Sequence, residues 1–222
     1  FGKQNETPVA KYHPYLDAFF RKNLYVSGYE LIDMDIPDDV VEDIIRTGGP
    51  GNFVDLAKAT KSEDVMLRLA TERSPDAKTL KALSSNYKCT SKVYEQIFDT
   101  AKGFSKTEAS DVFLTLVDEN RCPASVLTAI ANMTTNKHVL NGVLRNRNTP
   151  PDILDKYADH DEILVAHNPN VSAKTLERIM DQEYEDKFYK GDVLDAIAGN
   201  PGASGEILAR LAREDEETIR EV

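Results

Sequence analysis

NPNVSAKTLERIM, residues 168–180, reads as a tight turn running into an amphipathic helix, and its layout returns elsewhere in the chain. NRNTPPDILDKYA at 146–158 and NPGASGEILARLA at 200–212 share Asn first, a helix-starting residue fifth, Leu ninth and an apolar residue twelfth. NYKCTSKVYEQIF at 86–98 and NMTTNKHVLNGVL at 132–144 fit the frame without gaps, and ENRCPASVLTAIA at 119–131 fits with Glu119 in the Asn place. RSPDAKTLKALS at 73–84 is a shortened relative that repeats the AKTL of residues 173–176. A frame used this often points to a chain built by stacking one small motif.

Each position has a physical reading. The fifth holds Thr90, Asn136, Ser172 and Ser204, whose side chains accept from the free N–H groups of a first helical turn. Pro123 and Pro150 take that place in two frames; Pro suits the first helical position, which puts Cys122 and Thr149 at the caps. Positions eight, nine, twelve and thirteen, such as Ile153, Leu154, Tyr157 and Ala158, share one helical face, so that face is expected to be core. Asn86, Asn132, Asn146, Asn168 and Asn200 head the frames about two residues past a helix end, where Asn tolerates a left-handed backbone and bonds the turn. They are expected to be structural.

Other segments carry the same period: DDVVEDII (38–45), DVMLRLA (64–70), DVFLTLV (111–117), EILVAH (162–167) and DVLDAIA (192–198). Only KNLYVSGYELI (22–32) shows strand-like character. Helices of two or three turns are marginal alone and take their stability from neighbours, as in a stacked array. Frames start 13 or 14 residues apart from 119 to 132 to 146, then 22 apart from 146 to 168 and 32 from 168 to 200, so the longer intervals are read as carrying an inserted second helix. The expected fold is all-α: an irregular right-handed α-solenoid over residues 48–222, preceded by a partly acidic helical cap over residues 1–47.

LDKYADHDEILVAHNPNVSAKTLERIM, and ILARLAREDEETIREV after AGNPGAS, resemble the leucine-rich repeat variant and related HEAT-like families, whose units pair an α-helix with a shorter helix. The likeness is good over 119–222, weaker over 58–118 and absent before about 48. Some members carry an iron–sulfur cluster in a Cys-rich segment; no such segment is present, so no cofactor is expected. The family's Val-Arg of the second helix is Ile219-Arg220 at the end but Leu164-Val165 in the middle. EDEETIREV corresponds to half a unit, which leads to the expectation that the array is a fragment or that a partner covers its last unit.

The 222 residues carry a net charge of −11, which disfavours nucleic acid and anionic membranes; it reads first as a solubility feature, and where it serves recognition the expected partner is a basic protein or peptide. Two cysteines, Cys89 and Cys122, are too few for a disulfide framework or a thiolate metal site, and no apolar run or leader is visible, so a cytoplasmic setting is expected. TGGPGN (47–52) lacks the Lys and Ser/Thr of a phosphate loop and reads as a turn between cap and array. His160 and His167, with Asp159, Asp161 and Glu162, do not form a known ligand spacing. One basic group, Lys137, His138, Arg145, Arg147 and Lys156, breaks the acidic background. The reading is a non-catalytic scaffold that binds a protein or peptide; the runner-up is a HEAT-like nucleic-acid binder that uses the basic group.

Overall fold

The computed structural model describes Val41, Ile45, Arg46 and residues 50–71 and 75–220, with the side chains of 50–52 and 214–220 excepted. The expected cap at 1–47 and the strand-like stretch at 22–32 lie outside this range, save Val41, Ile45 and Arg46. Among the described residues every regular element is a helix. In chain order they are α1 Pro50–Ala59, α2 Glu63–Thr71, α3 Ala77–Ser84, α4 Ser91–Ala101, α5 Lys106–Asp118 and α6 Ala124–Met133. α7 Lys137–Arg145, α8 Pro151–Lys156, α9 Glu162–His167, α10 Ala173–Met180, α11 Lys187–Ala198 and α12 Gly205–Arg220 follow. Two compact units divide the sequence between Leu116 and Val117.

Helix starts follow side-chain chemistry. Asp76, Thr90, Asp161, Ser172 and Asp186 each accept from N–H groups of the turn they open. At Asn136 the carboxamide accepts from His138 N, and Ser204 Oγ accepts from Ile207 N at 3.2 Å. Ser105 opens α5: its hydroxyl accepts from Glu108 N at 3.4 Å and donates to the Glu108 carboxylate at 2.6 Å. Pro123 and Pro150 are themselves the cap residues, extended at φ −71° and −67°, and neither offers a side-chain bond. The expectation that Cys122 and Thr149 cap these helices is therefore off by one residue. Both are buried instead, and the Thr149 hydroxyl turns back to donate to Val143 O.

In the first unit α1 packs on α3, α2 on α4, and α3 on α4. Val93, Tyr94, Ile97 and Phe98, the face expected to be core, are buried; the Tyr94 hydroxyl donates to Ser84 O at 2.9 Å. In the second unit α6 packs on α7, α7 on α9, α9 on α11, and α10 on α11. Val126, Leu127, Ile130, Ala131, Ile153, Leu154, Leu176, Ile179 and Met180 are buried there.

The turns headed by Asn hold this packing in register. Asn146, Asn168 and Asn200 are all but buried, and each side-chain oxygen accepts from the N–H two residues on, at 3.0 Å or less. The other end of each carboxamide reaches back to the preceding turn. Asn146 Nδ2 donates to Val117 O at 2.7 Å and Glu119 O at 3.1 Å; Asn168 Nδ2 donates to Leu144 O at 2.7 Å and Asn146 O at 2.9 Å. Asn200 repeats the pattern on Ala166 O and Asn168 O. Asn86 does the same in the first unit, on Ala57, Lys58 and Thr60. The backbone here is extended, φ −67° at Asn146 and −74° at Asn168, so neither Asn takes the expected left-handed backbone.

These bonds define the period. Between successive Asn turns runs a pair of helices, α6–α7, α8–α9 or α10–α11, and the Glu119 turn counts as one of them because its carbonyl is clasped in the same way. Asn132 does not head a turn: it stands in the last turn of α6, exposed, and accepts from Lys156 Nζ at 2.6 Å. The 13-residue spacing at 119–132 is thus the spacing between two helices of one pair. TGGPGN is corrected likewise, since its residues from Pro50 on open α1.

Replacing Asn168 by Ala leaves buried carbonyls unpaired and is expected to cost about 2 to 4 kcal/mol, whereas Asn132→Ala is expected to cost under about 0.5 kcal/mol. Urea unfolding followed by circular dichroism measures both. A Cβ at Gly142 would lie 2.3 Å from Val117 Cγ2 on a stiff, buried side chain, so Gly142→Ala is expected to destabilise by about 1 to 3 kcal/mol in the same assay.

Candidate interaction surface

The five basic residues do not form one patch. Lys137 and His138 open α7 and Arg145 closes it, which at 1.5 Å per residue separates Lys137 from Arg145 by about 12 Å along the axis. Arg147 lies in the Asn146 turn, so Arg145 and Arg147 belong to the end of the helix pairs where the Asn turns run. Lys156 sits at the opposite end of α8, held by Asn132 Oδ1 and 4.9 Å from the Tyr157 ring centre. All five are exposed.

Cys89 and Cys122 occupy the fourth position of their turns, where the N–H of each closes a turn on the carbonyl of Asn86 or Glu119 at 2.9 Å. Both are buried and neither forms a disulfide. Among the described residues no three His, Cys, Asp or Glu side chains gather at metal-binding range. His160 meets Asn141 Oδ1 at 3.1 Å, Asp161 caps α9, and His167 lies exposed at the far end of that helix. None of the described helices is long and apolar enough to cross a membrane.

A different cluster, which the periodicity of the sequence does not mark, gathers where α10 turns into α11. The segment DQEYEDKFYKGD, 181–192, carries acidic residues and three aromatic rings. Tyr189 donates to Glu162 Oε2 at 2.7 Å, its ring centre 5.8 Å from that of Tyr184. The Tyr184 hydroxyl donates to Ile179 O at 2.9 Å, and Gln182 Nε2 donates to Asp159 Oδ1 at 2.9 Å. Asp186 caps α11, and Asp181 pairs with Arg210 at 2.5 Å. Phe188, in the first turn of α11, packs against almost nothing: 89% of its surface is exposed. Glu183 and Glu185 are exposed beside it.

The fields in this cluster oppose further negative charge. Partial burial, with the charges of Glu162 and Asp159, pushes the Tyr184 phenol from 10.0 up to about 12. Tyr189 is raised further in the same direction, first by burial and then by the hydrogen bond to Glu162. Compared with family models, with curated proteins and with solved structures, the chain matches none.

The raised phenols give a pH dependence of defined sign. Above the ordinary tyrosine range the unfolded chain loses phenolic protons that the folded chain keeps, so stability is full below about pH 10 and falls as pH rises towards 12. The melting temperature is expected to drop over that window, and less steeply in a Tyr184→Phe, Tyr189→Phe variant. Absorbance at 295 nm, which reports phenolate, checks the titration directly.

Proposed function

We propose that the chain is an α-solenoid of the leucine-rich repeat variant or HEAT-like kind that works as a non-catalytic scaffold, binding a basic protein or peptide in a cytoplasmic setting. The observation that carries this reading is Phe188. Folding gains nothing from a phenyl ring left 89% in water, and burying it against a partner would return about 2 kcal/mol. Its neighbours favour a cationic partner. Glu183, Glu185 and Asp186 flank the ring, and an Arg side chain can lie on a phenyl face while it pairs with carboxylates. The stacked turns supply the rigidity such a surface needs, since α11, which bears Phe188, is anchored through Asn200 to the turn before it.

The nucleic-acid reading finds less support. Its five residues divide between two ends of the helix pairs, and Lys156 is engaged by Asn132.

Fluorescence anisotropy of a labelled oligo-arginine peptide tests the proposal. Saturable binding is expected at low salt, with Phe188→Ala weakening it about tenfold and Glu183→Gln, Glu185→Gln weakening it at low salt while making its loss with salt shallower, all at unchanged melting temperature. Binding indifferent to Phe188 overturns the proposed surface. Labelled duplex DNA that binds the wild type but not an Arg145→Gln, Arg147→Gln variant would install the runner-up in its place.

A further inference from the structure

The last Asn turn breaks a pattern kept by those before it. At the ninth position of the frame Leu127, Leu154 and Leu176 are each 0% exposed, whereas Leu208 of α12 is 43% exposed. At the thirteenth, Ala131, Ala158 and Met180 are buried and Ala212 is exposed. The tenth position, where α6, α8 and α10 carry Thr128, Asp155 and Glu177, holds Ala209, also exposed. Gly205, one turn before Leu208, has no atom within 4 Å of where a Cβ would lie. Gly205, Leu208, Ala209 and Ala212 fall at helix spacing on one side, so α12 presents an apolar, small-residue face of the sort that lets another helix approach closely.

The backbone agrees with the side chains. Each earlier turn offers two carbonyls to the next Asn: Val117 and Glu119 to Asn146, Leu144 and Asn146 to Asn168, Ala166 and Asn168 to Asn200. The corresponding pair here is Ala198 O and Asn200 O. Among the described residues no side chain donates to either.

We infer that this end of the second unit is a seat for two more helices joined by an Asn turn, the first completing the pair that α12 opens, supplied from outside residues 1–222 and stacked in line on α12. Their apolar face covers Leu208 and Ala212, whose counterparts in the earlier turns are buried, and the carboxamide of their turn takes Ala198 O and Asn200 O. The pattern says what the occupant is, because in each earlier turn an Asn takes the same two carbonyls and the same frame positions are buried. The inference rests on the stacked-turn reading and not on the basic partner of Phe188, and either can fail alone.

The chain supplies its own probe. A variant in which residues 1–212 are followed by a second copy of residues 181–222 adds two helices in register and brings a second Asn200 turn to the seat. Its melting temperature is expected to rise by at least about 3 °C over the parent. Amide exchange in the original α12 should slow about tenfold or more. Replacing Asn by Ala in the added turn alone should remove most of both gains. An added segment that exchanges freely and leaves the melting temperature unchanged overturns the inference.

The parent chain gives a second reading. Leu208→Lys is expected to leave its melting temperature within about 1 °C, against a large loss for Leu176→Lys. Severe destabilisation by Leu208→Lys would mean that the face is already covered, and a dimer in sedimentation that Leu208→Lys dissolves would mean that a second copy covers it. Either result rejects the seat.

Discussion

A single side-chain amide sets the geometry of the second unit. In each Asn turn the carboxamide oxygen closes the local turn on the N–H two residues ahead, and the nitrogen spans two carbonyls of the turn before. Asn is suited to both tasks at once. Asp has no N–H to donate, and the extra methylene of Gln would spoil the short local ring while it lengthened the reach. Because these atoms are buried, a misplaced turn leaves bare carbonyls in an apolar setting, so the penalty for losing register is several times the worth of any one bond. A second row reinforces it over part of the unit. Asn148 Nδ2 donates to Asn120 O and Cys122 O, and Asn170 Nδ2 to Arg147 O and Thr149 O, until Gly202 ends the row.

Register fixed at the turns leaves the helices free to vary. The pair α8–α9 is made of two six-residue helices, each far below the length that holds together in water, while α10–α11 uses eight and twelve residues. Both lie between the same kind of Asn turn. The excess is taken up at the opposite end, where α8 passes into α9 through Tyr157 to Asp161 and α10 into α11 through Asp181 to Asp186. That end carries Phe188, the two tyrosines and the exposed Glu183 and Glu185, so chemical variety collects where the clasp does not constrain the backbone.

Much of the helical content was legible because Leu, Val and Ile recur at helix spacing after a capping residue, and among the described residues eleven of the twelve helices fall on segments read that way. α1 was missed because Gly48, Gly49 and Gly51 around Pro50 look like a turn, and only packing against α3 reveals that the chain turns helical at Pro50. The error at Asn132 has a different source. A polar residue, a cap four residues on and a Leu nine along describe any helix that follows a turn, so the frame alone cannot tell the head of a pair from the second helix within it. What separates Asn146 from Asn132 is the partner each meets: Asn146 donates to Val117 O and Glu119 O, 29 and 27 residues back, whereas Asn132 accepts from the Lys156 ammonium. The basic group misled for the same reason, since Lys137 and Arg145 are near in sequence and lie a whole helix apart.

A fold held by backbone-directed clasps has a consequence for recognition. The interactions that define it use main-chain carbonyls, which every residue provides, so the side chains facing solvent on α11 or in the 181–186 turn carry little responsibility for the fold. Phe188 and Glu185 can change at small cost in stability, and a surface of that kind can be fitted to a partner without reworking the core. The end face of α12 is the opposite case. Leu208 and Ala212 occupy positions that are buried wherever else the frame recurs, and their exposure agrees with the direction of the clasp: each Asn turn reaches backwards, so the Asn200 side chain holds carbonyls of the turn before it and not its own.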